Sequence, residues 1–223
     1  MTTNCVSGME KRRIRGFIFD LDGVIVFTDK LHYLAWKRMA DRLGVYFDEA
    51  INHRLRGVSR EESLEIVLEN YSGPALDGEA KRRLAEEKNS YYRDLLGELT
   101  PEAVSAEVRD TLARLRERGY KLAIGSSSKN AGLILERTGI AGLFDAVSDG
   151  NNIERSKPDP EVFLKAAAFL GLAPEDCAVI EDAEAGIEAA KRGGMYAIAI
   201  HSAAGSGRAD VSLDAFEELL KIG

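Results

Sequence analysis

Residues 14–24 read Ile-Arg-Gly-Phe-Ile-Phe-Asp-Leu-Asp-Gly-Val, a short apolar and aromatic segment that runs into two acidic residues and a glycine. A short run with aromatic and β-branched residues is typical of a buried strand. The dipeptide Asp22-Gly23 is a common turn sequence and predicts that the strand stops there. The first strand therefore brings Asp20 and Asp22 to its carboxyl end, and the rest of the fold is predicted from the elements that follow.

A helical segment is predicted directly after this strand, over residues 28–97. Apolar side chains recur on one face over 29–43, and Gly44 provides a stop for that helix. The sequence Ser-Arg-Glu-Glu that begins at Ser59 has the spacing of a capping box, which predicts the start of another helix. A further helix is predicted over 77–96. We expect these helices to form a cap that is inserted after the first strand.

Strands and helices alternate after Pro101, which predicts a parallel sheet covered by helices on both faces. The predicted fold class is therefore α/β, with a doubly wound, Rossmann-like core and an inserted helical cap. Residues 14–27 and 98–223 are expected to form a phosphotransfer core, residues 28–97 the cap, and residues 1–13 a flexible tail. The predicted core strands span 120–125, 144–148, 177–181 and 195–200, and the predicted core helices span about 108–118, 130–138, 160–170, 183–192 and 213–221.

The composition excludes several classes of protein. The 223 residues are 45% hydrophobic and 30% charged, as in an ordinary globular chain. A net charge of −7, from 30 basic and 37 acidic residues, argues against general nucleic-acid binding. We expect no membrane span and no signal peptide, because acidic residues interrupt the apolar segments. Cys5 and Cys177 lie too far apart in the sequence to suggest a zinc site, and two free thiols fit a reducing cytoplasm.

Four separate loops of the predicted core carry polar side chains that are suited to chemistry. These side chains are Asp20 and Asp22, Ser126, Lys157, and residues 181–182. Ligands of open α/β sheets bind at the carboxyl ends of the strands, so these side chains should share one edge. Carboxylates without histidine or cysteine favour Mg²⁺, and Ser126 and Lys157 can hold an anion beside it. The set predicts phosphoryl transfer, with one aspartate as nucleophile and a second acid that moves the proton.

The same four segments resemble the motifs of the haloacid dehalogenase superfamily. Residues 17–24 resemble its first motif, Ser126 its second, and Lys157 with residues 179–187 its third and fourth. Taken singly, each has a structural explanation: an Asp-Gly turn, a solvated loop, a surface lysine or a helix N-cap. The presence of all four motifs in the same order as in the superfamily argues against those explanations.

Further residues resemble the substrate-contacting segments of the β-phosphoglucomutase family within this superfamily, namely Thr28, His32, Trp36 and the stretches 56–64, 88–89, 126–130 and 156–158. The resemblance implies that Asp20 is the nucleophile, that Asp22 is the general acid and base, and that Ser126 and Lys157 hold the transferring phosphate. It also implies one Mg²⁺ ion, held by Asp20, the backbone carbonyl of Asp22, Glu181 and Asp182. One departure is Ala183, which stands where the family often has serine, so one hydroxyl contact is expected to be missing.

The resemblance assigns further residues to the substrate and to closure of the cap. Thr28, His32 and Lys88 are expected to position Asp22, and Arg60 to hold the phosphate that is not being transferred. The residues implied in substrate binding are Trp36, Gly57, Val58, Ser59, Arg60, Glu61, Glu62, Ser63, Lys88, Ser127, Ser128, Lys129 and Asn130.

The function implied is interconversion of β-D-glucose 1-phosphate and glucose 6-phosphate through an aspartyl-phosphate and β-glucose 1,6-bisphosphate. Two alternatives stay open: a Mg²⁺-dependent sugar-phosphate phosphatase of the same superfamily, and a regulator that binds phosphorylated sugars without catalysis. We expect a cytoplasmic monomer whose partner is a small phosphorylated sugar, with no nucleic-acid or membrane partner.

Overall fold

The computed structural model describes residues 14–56 and 58–222. The predicted tail over 1–13, Cys5 within it, and the predicted substrate-binding residue Gly57 lie outside this part of the chain. No helix within the described ranges has the length and apolar character needed to cross a membrane.

Six parallel strands form one sheet in the order β3-β2-β1-β4-β5-β6. The sequence segment that begins the fold is the central strand β1, in which Phe17 pairs with Leu122 on one side and with Ala178 on the other. This order confirms the predicted doubly wound α/β core. The strands are β1 Gly16–Phe19, β2 Lys121–Gly125, β3 Ala146–Ser148, β4 Cys177–Glu181, β5 Tyr196–Ile200 and β6 Val211–Leu213.

Eight α-helices accompany these strands in the described ranges. They are α1 Asp29–Leu43, α2 Glu49–His53, α3 Arg60–Val67, α4 Gly78–Leu96, α5 Ala106–Glu117, α6 Ala131–Thr138, α7 Glu161–Leu170 and α8 Glu184–Arg192. Shorter 3-10 helices span Leu68–Asn70, Pro101–Ala103, Ala141–Leu143, Pro174–Asp176, His201–Ala203 and Phe216–Lys221.

The central strand is buried on both faces, as expected for a parallel sheet covered by helices. Because side chains alternate along a strand, Phe17 and Phe19 join one apolar cluster while Ile18 joins another with Phe163 of α7. Leu96, at the end of α4, belongs to the same cluster as Phe17. The last turn of α4 therefore rests on the core.

Helices α1 to α4 follow β1 and precede β2, where the sequence predicts the cap. They pack around a third apolar cluster that includes Trp36, Met39 and Leu64. The capping box predicted at Ser59 is present: its hydroxyl accepts from the Glu62 backbone N–H at 3.1 Å, and the Glu62 carboxylate accepts from the Ser59 N–H at 3.0 Å. The start of α3 is thus fixed by local hydrogen bonds.

The structure differs from the predicted elements at several places. The final helix predicted over 213–221 is wrong, because Val211–Leu213 forms the edge strand β6 and only Phe216–Lys221 is helical, as a 3-10 helix. Apolar residues at 211 and 213 flank Ser212, and this alternation matches a strand beside β5. The short helix α2 was not predicted. Helix α7 begins at Glu161, one residue after the predicted Pro160.

Candidate active site

A cavity of about 960 Å³ lies between the carboxyl edge of the sheet and the helices α1, α3 and α4. Every predicted site residue in the described ranges lines it. From the core these are Asp20, Asp22, Ser126, Ser127, Ser128, Lys129, Asn130, Lys157, Glu181 and Asp182. From the helical segment they are Thr28, His32, Trp36, Val58, Ser59, Arg60, Glu61, Glu62, Ser63 and Lys88.

A buried ion triad lies at the floor of the cavity. The Lys157 Nζ atom is 2.5 Å from Asp20 Oδ1 and 2.5 Å from Glu181 Oε1, and the lysine is only 2% exposed. Burial alone would lower the pKa of Lys157, but the charges of Asp20 and Glu181 outweigh it and raise that pKa. Lys157 therefore stays an ammonium that is held between two carboxylates.

Three carboxylates converge beside this triad. Asp20, Glu181 and Asp182 each present an oxygen, and these oxygens all lie within 4.8 Å of one another. Burial raises the pKa of Asp182 to about 6, and the negative charge of Asp20 adds to the rise. A divalent cation would relieve this repulsion, and an all-oxygen donor set suits Mg²⁺. The residues present therefore fit the metal that the sequence predicts.

Two motif glycines permit the close approach of these carboxylates. Gly23 has a φ of +93°, and a side chain there would collide with the Asp182 carboxylate. Gly186 lies in the first turn of α8, where a Cβ atom would overlap the Glu181 carboxylate. Both positions therefore require glycine for a steric reason, and Gly23 also for its backbone conformation.

Asp22 lies in a desolvated position suited to proton transfer. The Thr28 hydroxyl donates to Asp22 Oδ1. Burial and then the charge of Asp20 raise the pKa of Asp22 to about 7, against the lowering effect of the Thr28 hydrogen bond. A carboxyl group that titrates near neutrality can both donate and accept a proton there.

A histidine–lysine pair from the helical segment stands next to Asp22. The Lys88 Nζ atom is 3.0 Å from His32 Nδ1 and lies over the rings of Trp36 and Tyr92, 4.6 and 4.7 Å from their centroids. Burial lowers the pKa of His32 well below its usual value, with Lys88 and Arg60 adding to the effect. Because an ammonium can only donate, a protonated Lys88 requires His32 to be neutral with an unprotonated Nδ1.

Arg60 is a half-buried cation at the start of α3. Its guanidinium makes no ion pair or hydrogen bond with any residue in 14–56 or 58–222, and burial lowers its pKa. Nearby, Lys129 Nζ lies 3.7 Å from Glu61 Oε1, a contact between the loop after β2 and α3. An unpaired guanidinium that lines a cavity is suited to bind an anion such as a phosphate.

The loop after β2 is organised by its own hydroxyls. The Ser128 N–H donates to Ser126 Oγ at 3.1 Å, and the Asn130 N–H donates to Ser128 Oγ at 3.2 Å. The Asn130 side chain donates to Asn89 Oδ1 of α4 at 2.9 Å. These bonds leave the Ser126 hydroxyl proton available to a ligand, and they link the loop to α4.

Tyr92 is a site residue that the sequence analysis missed. Its ring centroid lies 4.0 Å from that of His32, and it is 1% exposed. Its hydroxyl oxygen is buried without a hydrogen-bond partner in the described part of the chain. Burial raises the Tyr92 pKa, and the charge of Asp22 adds to the rise. Its position one helical turn after Lys88 is the signal that could have indicated it.

His201 and Ser202 also line the cavity and were not predicted, and Arg56, the first residue of the predicted substrate-contacting segment 56–64, lines it as well. Arg56 pairs with Asp29 through Nε and Nη2, at 3.2 and 3.1 Å. His201 and Ser202 directly follow β5, so they stand at the same carboxyl edge of the sheet as the predicted residues. The sequence signal for His201 and Ser202 was their position directly after a predicted strand, but no recognisable motif accompanies these two residues.

Residues 14–194 match the sequence model of the haloacid dehalogenase-like hydrolases. The chain belongs to the haloacid dehalogenase-like hydrolase family. This haloacid dehalogenase-like chain is 43% identical over 188 residues to a β-phosphoglucomutase of Bacillus subtilis, an alignment that covers 84% of this chain and 83% of the relative. It is 32% identical over 189 residues to a phosphorylated carbohydrates phosphatase of Thermotoga maritima, covering 83% and 85% of the two chains.

A crystal structure of β-phosphoglucomutase from Clostridium difficile has the same fold, with a TM-score of 0.86 and 36% sequence identity. The superposition covers 92% of this chain and 93% of that one. The expectation of a family enzyme with a doubly wound core is therefore confirmed, and the chain is an enzyme. The roles of individual site residues stay predictions.

Proposed function

We propose that this chain is a β-phosphoglucomutase, which interconverts β-D-glucose 1-phosphate and glucose 6-phosphate. The observation that carries the proposal is that one cavity is lined both by the Asp20–Lys157 pair and by Arg60. A bisphosphate needs two anion sites, one at the nucleophile and one remote from it. The 43% identical relative that bears this name supports the same assignment.

In the proposed reaction Asp20 attacks the 1-phosphoryl group of β-glucose 1,6-bisphosphate and forms an aspartyl-phosphate. As the bond from phosphorus to the sugar oxygen breaks, Asp22 gives its proton to that oxygen, and glucose 6-phosphate leaves. In the return step Asp22 accepts the proton of the 6-hydroxyl of a β-glucose 1-phosphate molecule while the phosphoryl group passes from Asp20 to that oxygen, which forms the bisphosphate again. Lys157 and Ser126 hold the phosphoryl oxygens in both steps.

The proposal includes a bound Mg²⁺ ion, held by Asp20, the Asp22 backbone carbonyl, Glu181 and Asp182. When bound, it would neutralise charge on the phosphoryl oxygens near Asp20. Lys157 balances the charge of Asp20 and Glu181 at the same time, so both cations act against the repulsion between carboxylate and phosphate.

We further propose that residues 28–97 act as a cap over the core formed by 14–27 and 98–223. The separate apolar cluster around Trp36 supports this division. A cap that closes with a sugar bound would exclude water from the phosphoenzyme and complete the site only with substrate.

We also propose that the enzyme is cytoplasmic and monomeric.

The second candidate is a sugar-phosphate phosphatase, favoured by the relative of Thermotoga maritima. Its core chemistry would be the same, with water as the final acceptor. A coupled assay decides between the two: β-glucose 1-phosphate is supplied with Mg²⁺ and a trace of β-glucose 1,6-bisphosphate, and glucose 6-phosphate and free phosphate are followed in parallel. The proposal expects glucose 6-phosphate to form faster than phosphate. Phosphate release at an equal or greater rate would contradict it.

The third candidate, a binding protein without catalysis, is tested with acetyl phosphate and Mg²⁺. An enzyme of either kind should gain one phosphoryl group on Asp20, detectable as a mass increase of the intact protein. A chain that binds glucose 6-phosphate but gains no mass would favour the regulator.

A further inference from the structure

The loop after β5 supplies a hydroxyl to the metal site. Ser202 Oγ lies 2.7 Å from the backbone oxygen of Asp182 and 3.1 Å from Asp182 Oδ2. No other hydrogen bond to the Asp182 carboxylate occurs within residues 14–56 and 58–222. The residue after Asp182 is Ala183, which has no hydroxyl to offer.

An unusual backbone conformation presents this hydroxyl. His201 has a φ of +53°, and it is the one non-glycine residue with a positive φ in the described ranges. Such conformations are sparsely populated and persist where the surroundings fix them. The His201 ring packs edge-on against Phe27, with the ring centroids 5.2 Å apart. Phe27 belongs to the segment that joins β1 to α1.

We infer that Ser202 is a positioning residue for the metal ligand Asp182 and supplies from the loop after β5 the hydroxyl that is absent at position 183. The one proton of the Ser202 hydroxyl is shared between the Asp182 backbone oxygen and Oδ2, so it ties the carboxylate to its own backbone and limits rotation about the terminal bond. An oxygen of the carboxylate held in this way lies within 4.8 Å of oxygens of Asp20 and Glu181, where the cation of the proposed function would bind. Hydrogen bonds to metal-binding side chains commonly contribute to metal affinity in this way.

The inference rests on the Mg²⁺ site of the proposed function but not on which sugar reacts. The alternative is that Ser202 only stabilises the 3-10 helix His201–Ala203. The two explanations differ in one measurable quantity, the affinity of the substrate-free protein for Mg²⁺.

The test is a calorimetric titration of the full chain with MgCl₂, on the wild type and three variants. Ser202→Ala should weaken Mg²⁺ binding by about 10-fold or more, the usual effect of losing such a partner. Ser202→Thr keeps the hydroxyl, and because Ser202 is exposed its extra methyl group has room, so its affinity should stay near that of the wild type. Ser206→Ala removes a hydroxyl of the same loop that accepts from the Arg208 N–H, and it should have no effect.

Unchanged Mg²⁺ affinity in a folded Ser202→Ala protein would overturn the inference, and so would an equal loss in Ser202→Thr or Ser206→Ala. Melting temperatures without Mg²⁺ establish that each variant is folded. If Ser202→Ala does not fold, Ser202→Cys, which keeps the size but donates weakly, replaces it under the same expectation. A wild type that binds Mg²⁺ but forms no glucose 6-phosphate would end the proposed function and leave this inference intact.

A second pair of variants tests the backbone at His201. Glycine adopts a positive φ without strain, so His201→Gly should keep most of the Mg²⁺ affinity. Valine disfavours that conformation, so His201→Val should move Ser202 and weaken Mg²⁺ binding to the extent seen in Ser202→Ala. Equal affinities in the two variants would show that the conformation of His201 does not present Ser202 and would overturn that part of the inference.

Discussion

The ammonium of Lys157 stands 2.5 Å from Oδ1 of Asp20, and Glu181 holds it from the other side at the same distance. Asp20, the proposed nucleophile, therefore has a buried counter-ion, and Lys157 keeps Glu181 as a partner if the Asp20 carboxylate is lost. Replacement of Asp20 should for this reason damage chemistry far more than folding.

Asp20→Asn is the first prediction. The amide cannot attack phosphorus, so glucose 6-phosphate formation and phosphorylation by acetyl phosphate should both disappear. Lys157 remains paired with Glu181, so the circular-dichroism spectrum should match that of the wild type. Near-normal turnover by a folded Asp20→Asn protein would remove Asp20 from the mechanism.

Asp22→Asn should separate proton transfer from metal binding. Its proposed contact with Mg²⁺ is a backbone carbonyl, so the Mg²⁺ affinity measured by calorimetry should change little. The rate at saturating Mg²⁺ should fall by roughly 10²–10⁴-fold, the usual contribution of general acid–base catalysis. A large loss of Mg²⁺ affinity with normal turnover at saturating Mg²⁺ would instead indicate that the Asp22 side chain is a metal ligand.

Arg60→Ala should affect transfer to a sugar but not transfer to water. A charge-assisted hydrogen bond is worth roughly 1.5–3 kcal/mol, or about 10- to 150-fold in rate, and only a sugar phosphate would make it here. Mutase turnover should fall by that factor, while hydrolysis of the phosphoenzyme stays almost unchanged. Arg54→Ala is a matched control, because Arg54 pairs with Glu69 on the exposed surface of the same helical segment.

Two outcomes would contradict the interpretation that Arg60 binds the phosphate that is not being transferred. A parallel fall in both rates would mean that Arg60 acts on cap stability or on the shared chemical step. No change in either rate would mean that it is an ordinary surface cation, and the phosphatase would then be favoured.

Lys88 should leave a signature in the pH dependence of stability. Burial lowers its pKa from the ordinary 10.5 to about 7, with Arg60 contributing. Between these two values the unfolded chain binds more protons than the folded one, so this group makes the free energy of unfolding rise with pH from about 7 to about 10. Below pH 7 its destabilising effect is fully present.

Urea denaturation at several pH values measures that rise. Lys88→Met should flatten it relative to the wild type, and Lys30→Met, at an exposed lysine of α1, should not. Superimposable pH profiles for the wild type and Lys88→Met would contradict the low pKa.

Tyr92→Phe removes the buried hydroxyl that has no hydrogen-bond partner in the described residues. An unsatisfied buried group costs about 1–3 kcal/mol, so the free energy of unfolding should stay equal or rise. Tyr91→Phe is the matched control: the Tyr91 hydroxyl donates to Glu87 Oε1 at 2.7 Å, and its loss should lower stability slightly. A clear loss of stability in Tyr92→Phe would indicate a hydrogen bond to Asp22 or Thr28.

The sequence was informative where chemistry demands particular residue types at the ends of strands. Asp20, Lys157 and residues 181–182 could be placed at one edge because each follows a strand or precedes a helix in a recognisable motif. The helix over 29–43 could be bounded to the residue because an apolar face ends at Gly44, whose φ is +67°.

The residues that escaped prediction depend on tertiary geometry. Ser202 stands in a segment rich in alanine and glycine, and nothing in that composition indicates a positive φ at His201 or a bond to a residue 20 positions earlier. The Tyr92 hydroxyl, which is buried without a hydrogen-bond partner among the described residues, depends on how α1 and α4 pack. The edge strand β6 was missed because three residues carry too little periodicity to compete with a following helical pattern.

Helix α4 carries Lys88 at a distance from the end of the helix that packs on the core. Its end at Leu96 is anchored in the core cluster, and Lys88 lies eight residues back, about 12 Å along the axis at 1.5 Å per residue. A tilt of about 10° around Leu96 would shift Lys88 by about 2 Å over that arm. Because α1 packs along α4, such a tilt would change the distance from Lys88 to Asp22 and the contact between Lys88 and His32. The surroundings of Asp22, the proposed proton carrier, therefore depend on the tilt of α4.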